Sequence, residues 1–135
     1  MASRSSFNLV CNDMKKLQIQ MNGRSDEFGT PKIAWDILQP YIPKGAVIWE
    51  CAYGKGSLAK IMTETGYRVV SSTNFFSDMK DCDFIITNPP YSLKEEFLHR
   101  AYELGKPFAF LMPLTALEGK ERNRLYRLFG IKLII

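Results

Sequence analysis

A short apolar run that stops at two prolines constrains the fold of this chain more than any other feature. The run Phe84–Thr87 is rich in β-branched residues and leads directly into Asn88, Pro89, Pro90 and Tyr91. Such a run predicts a buried strand, and the prolines predict that it ends there in a stiff loop. Open α/β sheets bind their ligands at the carboxyl ends of the strands, so this proline loop (residues 88–91) is a candidate site.

The proline loop is expected to present hydrogen-bond acceptors in a fixed arrangement. Neither proline has an N–H group, and each restricts the residue before it to extended conformations, so the carbonyls of Asn88 and Pro89 cannot join a helix. With the side-chain oxygen of Asn88 they form a cluster of acceptors, and Tyr91 offers an aromatic face for a planar base. This chemistry suits an exocyclic amine, whose hydrogens the acceptors would bind. A plain turn after a core strand is the structural alternative for so short a motif.

A second strand, Val47–Glu50, leads into a glycine-containing segment (residues 51–56, the glycine loop) and then into an amphipathic helix. Gly54 and Gly56 allow the backbone to approach a ligand closely. The loop lacks the third glycine of the dinucleotide fingerprint, and it has no Gly-Lys-Ser/Thr sequence for phosphate. The carboxylate of Glu50 at the strand end suits a cofactor with a cationic amino-acid portion. A tight turn in any βαβ unit is the alternative.

The two segments together resemble the S-adenosylmethionine-dependent amino-methyltransferases that modify adenine N6 or cytosine N4 in DNA. In that family the glycine loop is motif I and the Asn-Pro-Pro-Tyr loop is motif IV. The stretch Asp26–Pro31 resembles motif X, which precedes motif I in the gamma subclass. Locally, Thr30 as a helix N-cap and Pro31 as the first helical residue would also explain that stretch. A narrower likeness to short phage-encoded members rests on the residues around the proline loop and on Lys106–Leu111.

The resemblance implies a Rossmann-like, three-layer α/β/α methyltransferase domain with a mostly parallel sheet over residues 25–135, preceded by a loosely ordered arm at residues 1–24. It implies direct transfer of a methyl group from S-adenosylmethionine to an exocyclic amine of a DNA base, with adenine N6 favoured and no metal required. The catalytic residues implied are Asn88, Pro89, Pro90 and Tyr91. The cofactor-binding residues implied are Phe28, Thr30, Pro31, Glu50, Cys51, Ala52, Gly54, Gly56, Thr73, Asn74, Phe75 and Phe76.

Apolar spacing predicts which helix faces are buried. The residues expected to face the core are Ile33, Ala34, Ile37 and Leu38 after Pro31, Leu58, Ile61 and Met62 after the glycine loop, and Phe97, Leu98, Ala101 and Tyr102 after the proline loop. Ser92 and Glu95 form a capping-box pattern that predicts the start of the last of these helices, and Gly105 predicts its end.

The chain departs from the family pattern just after the second strand of the βαβ unit. The family places an acidic residue there to bond the ribose hydroxyls, whereas this sequence has Thr73 and Asn74. A neutral side chain bonds a hydroxyl more weakly than a carboxylate does. Phe75 and Phe76 resemble a degenerate motif III, whose side chains line the adenine pocket in relatives. Residues 73–82 are too few for the usual helix and strand.

The last part of the chain predicts a truncated sheet. Phe108–Met112 is expected to be a buried strand, Glu118–Phe129 a helix and Ile131–Ile135 a further strand. In the methyltransferase sheet the seventh strand inserts between the fifth and the sixth, and gamma-subclass enzymes carry a target-recognition domain beyond it; neither is expected here. Because isolated proteins avoid an exposed apolar edge strand, we expect Ile131–Ile135 to pair with a second copy or another partner, unless the chain is a fragment.

Composition fits one intracellular domain. The 135 residues are 46% hydrophobic and can bury one modest core, and the net charge of +4 is compatible with a DNA partner. Three cysteines without metal-ligand spacing indicate reduced thiols and a cytoplasmic location. A single histidine, His99, disfavours most Ser-His and Cys-His hydrolases, and no apolar run is long enough to span a membrane.

Three other functions share these sequence features. Enzymes that methylate guanine N2 in ribosomal RNA, or a glutamine side chain in a protein, also carry Asn-Pro-Pro-Tyr. A degenerate, non-catalytic methyltransferase-like subunit would explain the missing acidic residue and the missing recognition domain. A nucleotide-binding oxidoreductase is disfavoured by the incomplete glycine fingerprint.

Overall fold

A computed structural model describes residues 7–10 and 30–134 of the chain. Within these residues, six parallel strands form one sheet in the order β3-β2-β4-β5-β1-β6. The strands are β1 (Phe7–Val10), β2 (Val47–Glu50), β3 (Arg68–Ser71), β4 (Phe84–Thr87), β5 (Phe108–Met112) and β6 (Leu133–Ile134). The helices are α1 (Lys32–Leu38), α2 (Ser57–Glu64), α3 (Lys94–Leu104) and α4 (Lys120–Phe129), with short 3-10 turns at Gln39–Tyr41, Tyr91–Leu93 and Leu114–Leu117. The predicted α/β class with a parallel sheet is confirmed.

The central strands are apolar on both faces, as expected for a parallel sheet covered by helices on each side. Every residue of β5 is buried. Alternate residues of this strand enter two different core clusters, Ala109 and Leu111 on one side, and Phe108, Phe110 and Met112 on the other. The sheet is therefore the middle of three layers.

The helices are divided between the two faces of the sheet. Trp35 of α1 and Met62 of α2 belong to the first cluster, together with Ile48 and Ile86 of the strands. Phe97 and Leu98 of α3 and Leu125 of α4 belong to the second cluster, together with Trp49 and Ile85. Consecutive residues of β2 and β4 thus face opposite helix layers, which is the alternation that a strand imposes.

Three of the strands have the bounds that the apolar runs predict, namely β2, β4 and β5. Helix α3 buries the four residues expected of it, and Gly105 ends it in the left-handed conformation with φ 69°. The predicted capping box is shifted, because a 3-10 turn precedes α3 and Leu93 takes the N-cap position instead of Ser92. Residues 72–83 contain no helix or strand, as their small number predicts.

The buried face of α1 differs from the prediction. Ile33, expected to face the core, is 52% exposed, whereas Trp35 is 1% exposed and lies in the first cluster. Trp35 has more apolar surface to bury than Ile33, which favours the orientation that places Trp35 in the core. The helix also begins one residue later than predicted, because Pro31 is the N-cap and Thr30 precedes it. The indole N–H of Trp35 donates to the Thr65 hydroxyl at 3.0 Å, which lets this large side chain be buried without losing its polar contact.

Strand β1 occupies the position in the sheet that the seventh strand has in the methyltransferases that this sequence resembles. It lies between β5 and β6 and runs parallel to both, with Phe7 opposite Ala109 and Asn8 opposite Leu133. No strand was predicted in the N-terminal arm, whose remaining residues lie outside the described part of the chain. Strand β6 pairs with β1 of its own chain, and the pairing of Ile131–Ile135 with a second copy stays a prediction.

No helix among residues 30–134 combines the length and the apolar character that crossing a bilayer requires.

Candidate functional site

A cleft of about 420 Å³ opens where the glycine loop and the proline loop leave the sheet. These loops follow the neighbouring parallel strands β2 and β4, so both begin at the carboxyl edge. The cleft is lined by Thr30, Glu50, Ala52, Tyr53, Gly54, Lys55, Ser57, Leu58, Thr73, Asn88 and Pro90. Segments that lie far apart in the sequence, and that the resemblance assigns to motifs X, I and IV, thus share one cavity.

Glu50 lies almost completely buried beside this cleft, with 2% of its surface exposed. Its Oε1 atom accepts hydrogen bonds from the Ala52 N–H, at 2.9 Å, and from the Thr87 hydroxyl. Its Oε2 atom makes no hydrogen bond within the described residues. Burial raises the pKa of the Glu50 carboxyl to about 8, and the two hydrogen bonds oppose that rise. The carboxyl is therefore poised to ionise when a cation approaches Oε2.

The glycine loop is fixed at both ends by backbone hydrogen bonds. Ser72, which follows β3, donates its N–H to the Glu50 carbonyl at 3.0 Å and accepts the Tyr53 N–H at 3.1 Å. The Gly56 N–H donates to the Tyr53 carbonyl at 2.8 Å, which closes a four-residue turn. Gly54 within that turn has φ 55°, a value that residues with a Cβ rarely adopt. The loop thus keeps its shape beside the cleft, and a glycine supplies the conformation it needs.

Asn88 of the proline loop lines the cleft and carries an unsatisfied acceptor. Asn88 Oδ1 is buried and has no hydrogen-bond partner within the described part of the chain. A buried polar atom left without a partner costs about 1–3 kcal/mol, so a partner from outside the described residues would stabilise this site. Pro90 also lines the cleft, and its carbonyl accepts the Leu93 N–H at 2.9 Å. Pro89 is buried behind them and does not line the cleft.

Tyr91 does not join Asn88 and Pro90 in the cleft. It begins the 3-10 turn that leads into α3, and its half-buried side chain packs against the core cluster on the α1–α2 face of the sheet. The structure therefore does not place this ring where the sequence analysis expected it, as a stacking platform beside the acceptors.

The loop after β3 contributes one hydroxyl residue to the cleft. Thr73 lines it, whereas the side-chain oxygen of Asn74 accepts the N–H groups of Phe76 and Ser77 at 3.1 and 3.2 Å. Asn74 thus stabilises its own turn and does not face a ligand. Of the carboxyl groups in the described part of the chain, Glu50 alone lines this cleft.

The two phenylalanines of the presumed motif III lie outside the cleft. Phe75 is 1% exposed and is buried in the second core cluster, where it stacks on Phe97 with ring centroids 5.1 Å apart. Phe76 is 45% exposed and meets the edge of the same Phe97 ring at 5.2 Å. Phe75 is a core residue, because burying an apolar ring among other side chains stabilises the protein more than exposing it in an open cavity would.

Three other predicted cofactor residues do not line the cavity. Cys51 is fully buried among core side chains, and this burial, with the charge of Glu50 next, raises the pKa of its thiol. Gly56 is buried with φ 80°, and its neighbour Tyr53 lies so close that an added Cβ would be 2.5 Å from the phenol oxygen. Pro31 caps α1 beside Thr30, which does line the cleft; Phe28 lies outside the described residues.

Sequence reasoning missed some residues of the site. Tyr53 and Lys55 line the cleft from within the glycine loop, and Ser57 and Leu58 do so from the first turn of α2. Their positions between and just after the two glycines were a usable signal, because a loop that approaches a ligand brings its intervening side chains with it. The bond from Thr87 to Glu50 had no such signal, since it depends on the register of β4 against β2.

No family model, curated protein or solved structure matches this chain.

Proposed function

We propose that this protein transfers a methyl group from S-adenosylmethionine to an exocyclic amine of a DNA base, with adenine N6 as the favoured target. The observation that carries the proposal is that Asn88, whose buried Oδ1 atom has no partner among the described residues, lines the same cleft as Glu50 and Gly54. An acceptor of this kind is suited to an N–H donor from outside the protein, and the neighbouring residues fit a methyl donor.

Several features of the cleft fit S-adenosylmethionine. Its volume of about 420 Å³ lies within the range of roughly 300–1,000 Å³ that small-molecule sites have. The Oε2 atom of Glu50 can receive an ammonium group, and the backbone at Gly54 has no Cβ that would keep a ligand away. When bound, S-adenosylmethionine supplies an electrophilic methyl group on a sulfonium centre.

The proline loop would act on the amine. A base amine is a poor nucleophile because its lone pair is delocalised into the ring. By accepting an amine hydrogen, Asn88 Oδ1 would localise that lone pair and stabilise the positive charge that develops on nitrogen. The nitrogen would gain the methyl group as the sulfonium S–C bond breaks, which leaves a neutral thioether, and it would lose one proton to solvent. Rigidity matters here, because acceptors that are already oriented need no reorganisation during the reaction.

The choice of a DNA base rests on the resemblance and on accessibility. A base in a duplex must be flipped out of the stack to reach a loop of this kind. The order of motifs X, I and IV favours the subclass that methylates adenine. A net charge of +4 assists association with a polyanion without selecting a sequence.

A second candidate function is a non-catalytic binding subunit with the same cleft. Two observations favour it: Tyr91 packs against the core instead of facing the cleft, and no carboxylate occupies the position at Thr73 and Asn74. Such a protein would bind the cofactor or its product weakly and transfer nothing.

Two measurements separate these candidates. The first is transfer of tritiated methyl groups to unmethylated DNA by the wild type, Asn88→Ala and the control Asn123→Ala, which alters an exposed residue of α4 outside the cleft. The second is calorimetric titration of the wild type with S-adenosylhomocysteine, the reaction product.

The proposal predicts DNA labelling by the wild type and the control, and a loss of about 100-fold or more in Asn88→Ala. Equal labelling by the wild type and Asn88→Ala would refute the assigned role of Asn88. Binding of S-adenosylhomocysteine without any labelling would favour the binding subunit, and absence of both would reject the cofactor assignment.

A further inference from the structure

Among the described residues that line the cleft, Glu50 carries the only carboxyl group and Lys55 the only amino group. Glu50 is almost completely buried, whereas Lys55 is exposed. Because burial raises the pKa of Glu50 to about 8, Lys55 carries the only net charge at neutral pH among the described residues that line the cleft. A purely cationic ligand would be repelled by that charge, so the cleft suits a ligand that also carries an anionic group.

The shape of the glycine loop presents Lys55 to the cleft. The turn closed by the Gly56 N–H and the Tyr53 carbonyl places Lys55 at its third position. Gly54, the residue before it, has a positive φ that folds the chain back at this point. The loop is anchored at Glu50 and Tyr53 by Ser72, so the backbone that carries Lys55 is held relative to the Glu50 carboxyl.

Lys55 has no ion-pair partner in the described part of the chain, as is also true of the exposed Lys44 and Lys120; what distinguishes Lys55 from those two is that it lines the cleft. Lys32 pairs with Asp36 at 2.9 Å, and Lys60 pairs with Glu64 at 3.9 Å. Both of those pairs join residues four apart on one helix, as is usual on a solvated surface. Lys55 instead lies in a loop, at a cavity, with its charge available to a ligand.

We propose that Lys55 binds the α-carboxylate of an amino-acid head group, while Glu50 Oε2 receives the ammonium of the same group. The site would thus select ligands that carry a complete zwitterionic amino acid over ligands that end in a nucleoside or an amine. This inference rests on the proposed function, because it takes S-adenosylmethionine and its product as the ligands of the cleft.

The expected contribution of Lys55 is moderate. An ion pair at an exposed position contributes little, whereas a charge-assisted hydrogen bond at a partly enclosed site contributes more. Lys55 lies between these cases, at the rim of a cavity. We therefore expect loss of its charge to weaken binding by about 5- to 20-fold.

Two ligands and four proteins test the inference by calorimetry. S-adenosylhomocysteine carries the amino-acid group, and 5′-deoxy-5′-methylthioadenosine has the same nucleoside and sulfur without it. The proteins are the wild type, Lys55→Gln, Lys55→Arg and Lys60→Gln, the last an exposed lysine of α2 that does not line this cleft. Circular dichroism confirms that each variant is folded.

The inference predicts that Lys55→Gln loses about 5- to 20-fold in affinity for S-adenosylhomocysteine and less than about twofold for methylthioadenosine. Lys55→Arg should retain most of the affinity, and Lys60→Gln should match the wild type. Suppose that the wild type binds S-adenosylhomocysteine. If Lys55→Gln binds it with the same affinity, or loses affinity for both ligands to the same extent, the role assigned to Lys55 is wrong and the proposed function stands. If the wild type binds neither ligand, the proposed function fails and the inference fails with it.

Discussion

The hydroxyl of Thr87 donates a hydrogen bond to Glu50 Oε1, and this bond joins the last residues of two neighbouring strands, β4 and β2. Glu50 begins the side of the cleft that the glycine loop forms, and Thr87 immediately precedes Asn88. The carboxyl group and the orphan acceptor are therefore coupled through one hydrogen bond and one peptide unit.

Replacing Thr87 by valine should destabilise the protein by about 1–3 kcal/mol, because it removes a hydrogen bond to a buried carboxyl while keeping the shape of the side chain. Thr87→Ser keeps the hydroxyl and should recover most of that loss. Urea unfolding at pH 6 gives the free energies. The matched control is Thr63→Val on the exposed side of α2, where the hydroxyl bonds only the Ala59 carbonyl and the expected change is within about 0.5 kcal/mol. Equal effects at the two threonines would contradict the structural role of the Thr87 bond.

Glu50 should make the protein less stable as the pH rises. Its pKa is about 8 in the folded state and 4.5 in the reference state, so between these values the folded protein holds a proton that the unfolded chain has released. The free energy of unfolding therefore falls with rising pH across this window, by up to about 1.4 kcal/mol per pH unit, and the fall ends above pH 8. The Cys51 thiol beside it has a raised pKa and stays protonated throughout.

The variant Glu50→Gln measures this effect, because an amide keeps an acceptor for Ala52 and Thr87 but does not titrate. Urea unfolding from pH 5 to pH 8 should show a wild type that is progressively less stable than Glu50→Gln. Exposed Glu64→Gln serves as the control, and its profile should follow that of the wild type. Parallel profiles for the wild type and Glu50→Gln would mean that the carboxyl is already ionised in the folded protein.

The same ionisation should make ligand binding depend on pH. An ammonium group at Glu50 Oε2 requires a carboxylate, so below pH 8 the binding of S-adenosylhomocysteine must displace one proton. Its affinity should rise with pH by at most about tenfold per unit and level off near pH 8. Calorimetry at pH 6, 7 and 8 gives the slope, and buffers with different ionisation enthalpies give the proton release. Affinity that is independent of pH would place the ligand's cation away from Glu50.

The sequence was most informative about elements whose signal is local. The runs that form β2, β4 and β5 are short, apolar and bounded by Gly, Pro or charged residues, so their limits could be read directly. The edge of the sheet that carries the cleft followed from the parallel order of the strands. Asn88 and Glu50 were placed at that edge for the same reason, and the cleft brings them together.

Features that depend on pairing between distant segments could not be read. Strand β1 pairs with β5 and β6, which come almost a full chain later. The sequence of its four residues does not predict which strands they pair with. Tyr91 was misplaced because its direction is set by the 3-10 turn after the prolines. In the loop after β3, no periodicity distinguishes a buried phenylalanine from a ligand-facing one.

Phe75 and Phe76 therefore give a direct test of which phenylalanine is structural. Phe75→Ala should lower the free energy of unfolding by about 3–5 kcal/mol, because it empties a fully buried site that contacts Trp49 and Phe97. Phe76→Ala, at a ring that is 45% exposed, should cost about 1 kcal/mol or less. Urea unfolding separates the two. A larger loss of unfolding free energy for Phe76→Ala would show that Phe76, and not Phe75, is the buried residue.

Gly54 should prove necessary for binding more than for folding. Its φ of 55° strains any residue with a Cβ, but the nearest atom to an added Cβ is the Ala52 carbonyl oxygen at 3.9 Å, so Gly54→Ala has a conformational cost of about 1 kcal/mol without a clash. Gly45, with φ 85° and open space around it, offers the matched control, since Gly45→Ala carries the same kind of strain before β2 and away from the cleft.

Both variants should unfold at similarly reduced urea concentrations. Only Gly54→Ala should also lower the affinity for S-adenosylhomocysteine, by about tenfold in calorimetry. The reason is that the added methyl group and the altered turn lie where the ligand approaches the backbone. Equal affinity in the two variants would mean that the glycine loop shapes the protein without touching what binds there.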